Sequence, residues 1–259
     1  MTIINSTFNI YSTDMHIKPL FFDQTDSTNL HAARLIQQGE AYHGLAVVAR
    51  CQTNGKGLGI NHWESEAGKN LLVSIIVKPS FLHPARQFML NKVTSIAAMQ
   101  MIKTLTLRND VYVKWPNDIY IGNGKAAGIL INNIIAGELF DWAVIGLGIN
   151  VNQKVFSNHL PNPVSMNVAT GTEFDLYMCM EALCNSFAEY YRLLESGHLK
   201  TIDDHYLANL YRIGVVSLFS VKGRKVAATI TGVGAYGHLL LEMKNGKIVE
   251  CDLKEVKFL

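Results

Sequence analysis

The sequence predicts an α+β domain of sheet and helices followed by a small β-barrel. Over residues 1–212, short apolar runs bounded by turn signals alternate with segments of helical period, a mixture that builds a sheet layered with helices. Over 213–259 the chain holds only short β-rich runs divided by glycine turns, the punctuation of a barrel of SH3-like size. The chain has 259 residues, 49% of them hydrophobic and 17% charged, enough apolar surface for one large core and one small one.

Ile17–Phe22 reads as the first strand. Leu30, Ala33, Leu35 and Ile36 then recur at helical spacing, with Ser27 or Thr28 as N-cap and Gly39 as stop. Leu45–Arg50 and Leu71–Val77 are buried strands, and Gln52 to Glu66 between them is a polar, glycine-bearing loop. Gln87–Leu105 has helical period with small residues on one face, and Val111–Trp115 is a strand. Ile119–Ile121 and Ala127–Ile131 flank Gly122-Asn123-Gly124, whose Asn-Gly step predicts a hairpin. Leu139–Ile145 is an apolar strand running into Gly146-Leu147-Gly148-Ile149-Asn150. Glu173–Glu195 predicts a long helix and Ile202–Tyr211 a shorter one. Beyond a boundary near Tyr211–Gly214 come the strands Val215–Val221, Lys225–Val233, Leu239–Glu242, Lys247–Glu250 and Val256–Leu259.

Composition removes several classes of function. The net charge is +2 with no long basic run, so charge gives no support to a nucleic-acid or membrane-surface partner. Cys51, Cys179, Cys184 and Cys251 form no CxxC pair and no histidine cluster has zinc spacing, so reduced thiols and no structural metal are expected. Met1 to Lys18 lacks the basic start and apolar stretch of a signal peptide, and no apolar run reaches membrane-spanning length; a soluble cytoplasmic protein is expected.

Four segments carry candidate chemistry, each with a plainer reading beside it. Gln52-Thr53-Asn54-Gly55-Lys56-Gly57-Leu58-Gly59 exposes backbone N–H groups next to a cation, suited to a phosphate or carboxylate, or is a surface turn; it has neither Walker A nor GxGxxG spacing. Lys114-Trp115-Pro116-Asn117-Asp118 ends a strand in polar groups that either meet a magnesium-bound phosphate or form a tight turn. Lys125, before a strongly apolar strand, is either an edge gatekeeper or a cation for charge developing at a phosphate. Gly146 and Gly148 in a strand let a backbone or a flat ligand lie close, and Asn150 and Asn152 bond a base or satisfy the turn. Trp63 stacks on a base or anchors the core, and His62 reads as an ordinary surface residue.

The order of these segments is more specific than any one of them. Asp26-Ser27-Thr28-Asn29, the glycine loop leading to Trp63, Lys114-Trp115-Pro116-Asn117-Asp118, Gly124-Lys125-Ala126-Ala127-Gly128-Ile129-Leu130 and Gly146-Leu147-Gly148-Ile149-Asn150-Val151-Asn152 together resemble the biotin–protein ligase family over residues 17–259. The resemblance implies a catalytic domain like that of class II aminoacyl-tRNA synthetases, an SH3-like C-terminal domain, and ATP and biotin as substrates with Mg2+. Biotin is activated as biotinyl-adenylate and passed to a lysine of a biotin carboxyl carrier domain. It further implies that Ser27, Thr28, Asn29 and Gln52 line the ureido end of biotin, with Gly55, Lys56, Gly57, Leu58, Lys125 and Gly128 completing its site. Lys56, Leu58, Asn61, Trp63, Asn117, Lys125 and Asn150 would meet ATP. Lys125, Lys56 and Asp118 are the catalytic candidates; the metal ligands stay open. A homodimer is possible, and no DNA binding is expected, since about sixteen residues precede the first strand. The loop departs from the family's arginine-rich pattern: Leu58 stands where a second basic residue is common, followed by Gly59, Ile60 and Asn61, so a looser hold on the adenylate is expected.

Overall fold

The computed structural model describes residues 15–259. The expectations that rest on residues 1–14, no signal peptide and no DNA-binding domain, lie outside the described residues.

The first strand, β1 (Lys18–Thr25), pairs in parallel with β2 (Leu45–Gln52); between them runs helix α1 (Thr28–Gln38). Gly39 closes α1 in the left-handed region, φ 75°, where its N–H bonds back to Ile36. Next come β3 (Leu71–Val77), α2 (Phe88–Thr106), β4 (Val111–Lys114), β5 (Asp118–Ile121), β6 (Gly124–Ala136) and β7 (Leu139–Ile149). The seven strands form one mixed sheet in the order β1-β2-β3-β7-β6-β5-β4, antiparallel beyond the first pair. Helices α3 (Met166–Thr170), α4 (Leu176–Glu195) and α5 (Leu199–Ala208) precede a separate five-stranded antiparallel sheet, order β11-β10-β9-β8-β12. Its strands are β8 (Val216–Val221), β9 (Arg224–Val233), β10 (Leu239–Met243), β11 (Ile248–Cys251) and β12 (Val256–Phe258).

Period-two alternation divides the large sheet between two buried clusters. Ala46, Val48, Val73, Ile75 and Ile145 join α2 and α4 on one face. Leu45, Val47, Ile76 and Val144 pack against Ala32 and Leu35 of α1 on the other. Helix α1 covers only part of that second face. The remainder, where Gly128 pairs with Gly148 and Leu130 with Gly146, is the floor of the candidate site.

Several element limits differ from expectation. Strand β6 runs on to Ala136 and turns at Gly137 into β7, because its outer half pairs with Leu139–Ala143 in a long hairpin. Helix α4 begins at Leu176 rather than Glu173, since the Asp175 carboxylate accepts from the amides of Tyr177 and Met178. Helix α5 spans Leu199–Ala208 rather than Ile202–Tyr211; Tyr211 instead donates its backbone N–H to Val113 and its hydroxyl to Asn123. Helix α3, with Ser165 as its cap, was not expected. The second sheet is docked on the first: Trp115 Nε1 donates to the Gly237 carbonyl at 2.8 Å, and a Cβ on Gly237 would meet the Phe88 ring at 2.4 Å.

Candidate active site

A cavity of about 370 Å³ opens on the uncovered part of the sheet. Its wall includes Ser27, Thr28, Asn29, Gln52, Lys56, Gly57, Leu58, Asn61, Trp63, Asn117, Asp118, Lys125 and Gly128. Residues from four separate sequence segments therefore meet in one place. A second cavity of about 440 Å³ shares Asn61, His62, Trp63 and Lys125 with the first, and Asn150 lies there. Gly55 lines neither. A Cβ on Gly55 would stand 2.4 Å from the Trp63 carbonyl, so it serves the turn that carries Trp63 rather than the cavity wall.

One end of the first cavity is a buried polar network. Ser27 sits at the N-cap of α1, yet its hydroxyl makes no capping bond. Thr28 donates from both its backbone N–H, at 2.7 Å, and its hydroxyl, at 3.1 Å, to Gln52 Oε1. That arrangement leaves the Gln52 Nε2 amide to donate elsewhere. Asn29 donates to the Leu130 carbonyl and to Asn132 Oδ1, while its own Oδ1 lies 2.6 Å from Ser74 Oγ. Ser74 Oγ also lies 2.7 Å from Thr28 Oγ1. Ser74 is wholly buried in a strand whose other residues are apolar; its position on the α1 face was the signal available in the sequence. At Gly146 a Cβ would stand 2.1 Å from Asn29 Oδ1, so the network fills the space a side chain would take.

The other end is cationic. Lys125 Nζ and Asp118 Oδ1 are 2.7 Å apart, and among the described residues Asp118 is the one carboxylate on the cavity wall. Lys56, Lys114 and Lys257 line the same cavity. Lys114 lies between the rings of Tyr120, at 5.2 Å, and Phe258, at 4.7 Å. Burial pushes its ammonium below the ordinary lysine range, and Asp118 opposes that shift. The sequence reading assigned no role to Lys114 or Lys257. Lys257 comes from β12, together with Val256 and Phe258, and nothing local in that strand marks it.

Above the floor, the glycine loop is a small hairpin: Gly57 donates to Asn61 and Trp63 to Gly55 through their backbones. Trp63 lies across the Gly128–Gly148 pair, where a Cβ on Gly148 would meet its ring at 2.3 Å. Its indole N–H is buried without a partner among the described residues. Trp63 is thus the partition between the two cavities. Asn117 and Asn150 use their amides on backbone, the first donating to Ile129 and the second to Val164 and Lys125. His62, read as a surface residue, borders both cavities.

A family model described as the biotin/lipoate A/B protein ligase family matches residues 21–150, which contain the floor of the first cavity, the glycine loop and Lys125. The chain belongs to that family. Among curated relatives, the Bacillus subtilis "Bifunctional ligase/repressor BirA" is 28% identical over 255 residues, covering 93% of this chain and 75% of that protein. The Paracoccus denitrificans "Biotin--[acetyl-CoA-carboxylase] ligase" is 25% identical, covering 87% of this chain and 95% of the relative. The solved Aquifex aeolicus biotin protein ligase in complex with biotin and ATP superposes with a TM-score of 0.77 at 21% identity, over 93% of this chain and 99% of that one. This family member therefore has the biotin protein ligase fold.

Proposed function

We propose that the protein attaches biotin to a lysine of a biotin carboxyl carrier domain in two steps. A carboxylate oxygen of biotin attacks the α-phosphorus of ATP and the bond to the β-phosphate breaks, releasing pyrophosphate. The acceptor amine then attacks the acyl carbon of biotinyl-adenylate, and AMP leaves with the bonding pair. The observation that carries this reading is the polarity of the first cavity. Hydroxyls and an amide donor stand at one end, suited to a neutral cyclic urea, and lysines converge at the other, suited to a triphosphate.

In this reading Ser27, Thr28, Asn29 and Gln52 hold the ureido group. Lys125 meets the carboxylate and the α-phosphate, where negative charge concentrates as two anions combine. Lys56 and the backbone at Gly57 and Leu58 wrap the phosphates, with Asn61, Asn117 and Asp118 shaping that side. The base lies in the second cavity against Trp63 and Asn150. The second step needs chiefly positioning of amine against anhydride. Among the described residues no three acidic, histidine or cysteine side chains cluster to cage a metal. Asp118, the single wall carboxylate among the described residues, would be the group placed to meet a magnesium ion carried on the phosphates, whose charge such an ion would offset. In the same reading the described part of the catalytic unit, 15–212, corresponds to a class II aminoacyl-tRNA synthetase-like domain, and 213–259 to an SH3-like one.

Intact-mass measurement of an apo acceptor domain incubated with the protein, Mg-ATP and biotin tests the proposal, with lipoate in a parallel tube. An ATP-dependent gain of one biotinyl group, absent with lipoate, is expected. A lipoyl gain alone would place the protein in the lipoate branch of its family.

A further inference from the structure

The second cavity has two walls from distant parts of the sequence. One is the glycine-loop side, with Ile60, Trp63 and Glu64; the other is the segment after β7, with Phe156, Leu160, Pro161 and Pro163. Both ends of that segment are anchored to the body. Gln153 Oε1 accepts from the Glu66 amide at 3.0 Å and from Asn70, while the Val164 N–H donates to the Lys125 carbonyl, the Lys125 N–H donates to the Asn162 carbonyl and the Asn162 side chain donates to the Asn123 carbonyl. Its middle is different. Among the described residues, the hydrogen bonds tying 156–161 to the rest of the protein both run to Glu64: Ser157 Oγ donates to Oε2 at 2.6 Å, and His159 Nε2 lies 2.7 Å from Oε1. These two bonds hold the Glu64 carboxyl below its ordinary range, Ser157 contributing more.

Resting on the reading of the second cavity as the nucleotide side, we propose that Glu64 is a positioning residue for the adenylate. It latches segment 155–161 onto the loop that carries Trp63, so that the two walls close over the base as one unit. Glu64 follows directly on the residue that divides the cavities, so freeing the latch loosens the far wall without touching the lysines. A loop poor in arginine holds the phosphates weakly, and a coupled wall offsets that by requiring two segments to open together before the intermediate escapes.

The test uses the full chain with Glu64→Ala, Glu64→Gln, Ser157→Ala and the Glu64→Ala/Ser157→Ala double variant. Hydrogen exchange reads the latch without any turnover: Glu64→Ala should raise exchange at the Leu160 amide, which bonds to the Ser157 carbonyl, while the Val164 amide, bonded to the Lys125 carbonyl, stays protected. Unchanged exchange there overturns the proposal, whether or not the protein proves to be a ligase. Wild-type pyrophosphate exchange separately tests the ligase reading. Given activity, Glu64→Ala should speed biotinyl-adenylate release and raise KM for ATP roughly three- to tenfold, the range for an exposed ion pair plus a hydroxyl–carboxylate bond. Biotin affinity without ATP should not move. Glu64→Gln should recover part of the effect, because its amide oxygen still accepts from Ser157. The double variant should release no faster than Glu64→Ala; additive effects would mean that the two residues act separately, and the latch would fall.

Discussion

The two ends of the first cavity are built on opposite principles. At the end proposed for the ureido group Ser27, Thr28 and Asn29 are buried, and Thr28 and Asn29 are bonded to Gln52, Ser74 and Asn132 across three elements. At the end proposed for the phosphates the Lys56 ammonium bonds, among the described residues, only to its neighbour Asn54, while Leu58 is 40% exposed and Ile60 is 95% exposed at the loop tip. The first end exists before any ligand arrives, whereas the second has its cations in reach and its cover open. A neutral ligand group repays a preformed network, since every partner is already oriented. Anionic phosphates are attracted at longer range, so a cover that orders afterwards excludes water only once the reactants are in.

The largest expected effect breaks the phosphate end. Lys125→Ala removes the cation that Asp118 holds in place and should slow adenylation about 10²–10³-fold, the range for loss of one charge-stabilising donor. Pyrophosphate exchange measures it; wild-type exchange would remove Lys125 from the mechanism. Next comes an assault on the preformed end that touches no ligand group. Gly146→Ala puts a methyl where Asn29 Oδ1 now lies, 2.1 Å away, and should lower stability by about 1–3 kcal/mol as the network shifts. The thermal midpoint and biotin affinity should fall together, and an unshifted midpoint would show that the network yields freely. Gln52→Ala is gentler on the fold but leaves the Thr28 amide without its acceptor and removes the Nε2 donor. Biotin affinity should weaken by about 1–3 kcal/mol. A rise in KM for ATP with biotin affinity intact would place Gln52 at the wrong end.

The same contrast governs how much of the molecule can be read from its sequence. Strand β3 runs from Leu71 to Val77 as read, because an apolar run of that length, interrupted once at Ser74, is buried on both faces. The elements bounded by glycine turns likewise lie where their turns put them. Within the site, segments of contiguous residues such as Ser27-Thr28-Asn29 and Asn117-Asp118 were legible, since each side chain has a distinctive type beside a helix start or a turn. Ser74, Lys114 and Lys257 were not. Ser74 is one hydroxyl in an apolar strand, and Lys257 reaches the cavity only because Trp115 and Phe88 seat the second sheet against the first. Contacts that depend on how two sheets dock have no period or spacing in either one. Asn150, whose type suggested a base contact or a turn, lines the second cavity and donates its amide to the Val164 and Lys125 carbonyls.

The smallest expected effect sharpens the comparison instead of breaking it. Leu58 lines the first cavity from the loop tip, partly exposed, at the position where the family resemblance leads one to expect a basic residue. Leu58→Arg adds one guanidinium to the open cover and leaves the ureido end as it is. An exposed charge pair contributes about 0.2–1 kcal/mol, so biotinyl-adenylate release should slow by no more than about fivefold, with biotin affinity unchanged. A chase experiment on the preformed adenylate reads the rate, and the slowing should shrink as salt rises, because the new attraction is screened. A tenfold or larger slowing that resists salt would mean that the added side chain orders the whole loop. In that case the openness of the phosphate end comes from one missing residue, and the two ends differ by less than their present geometry indicates.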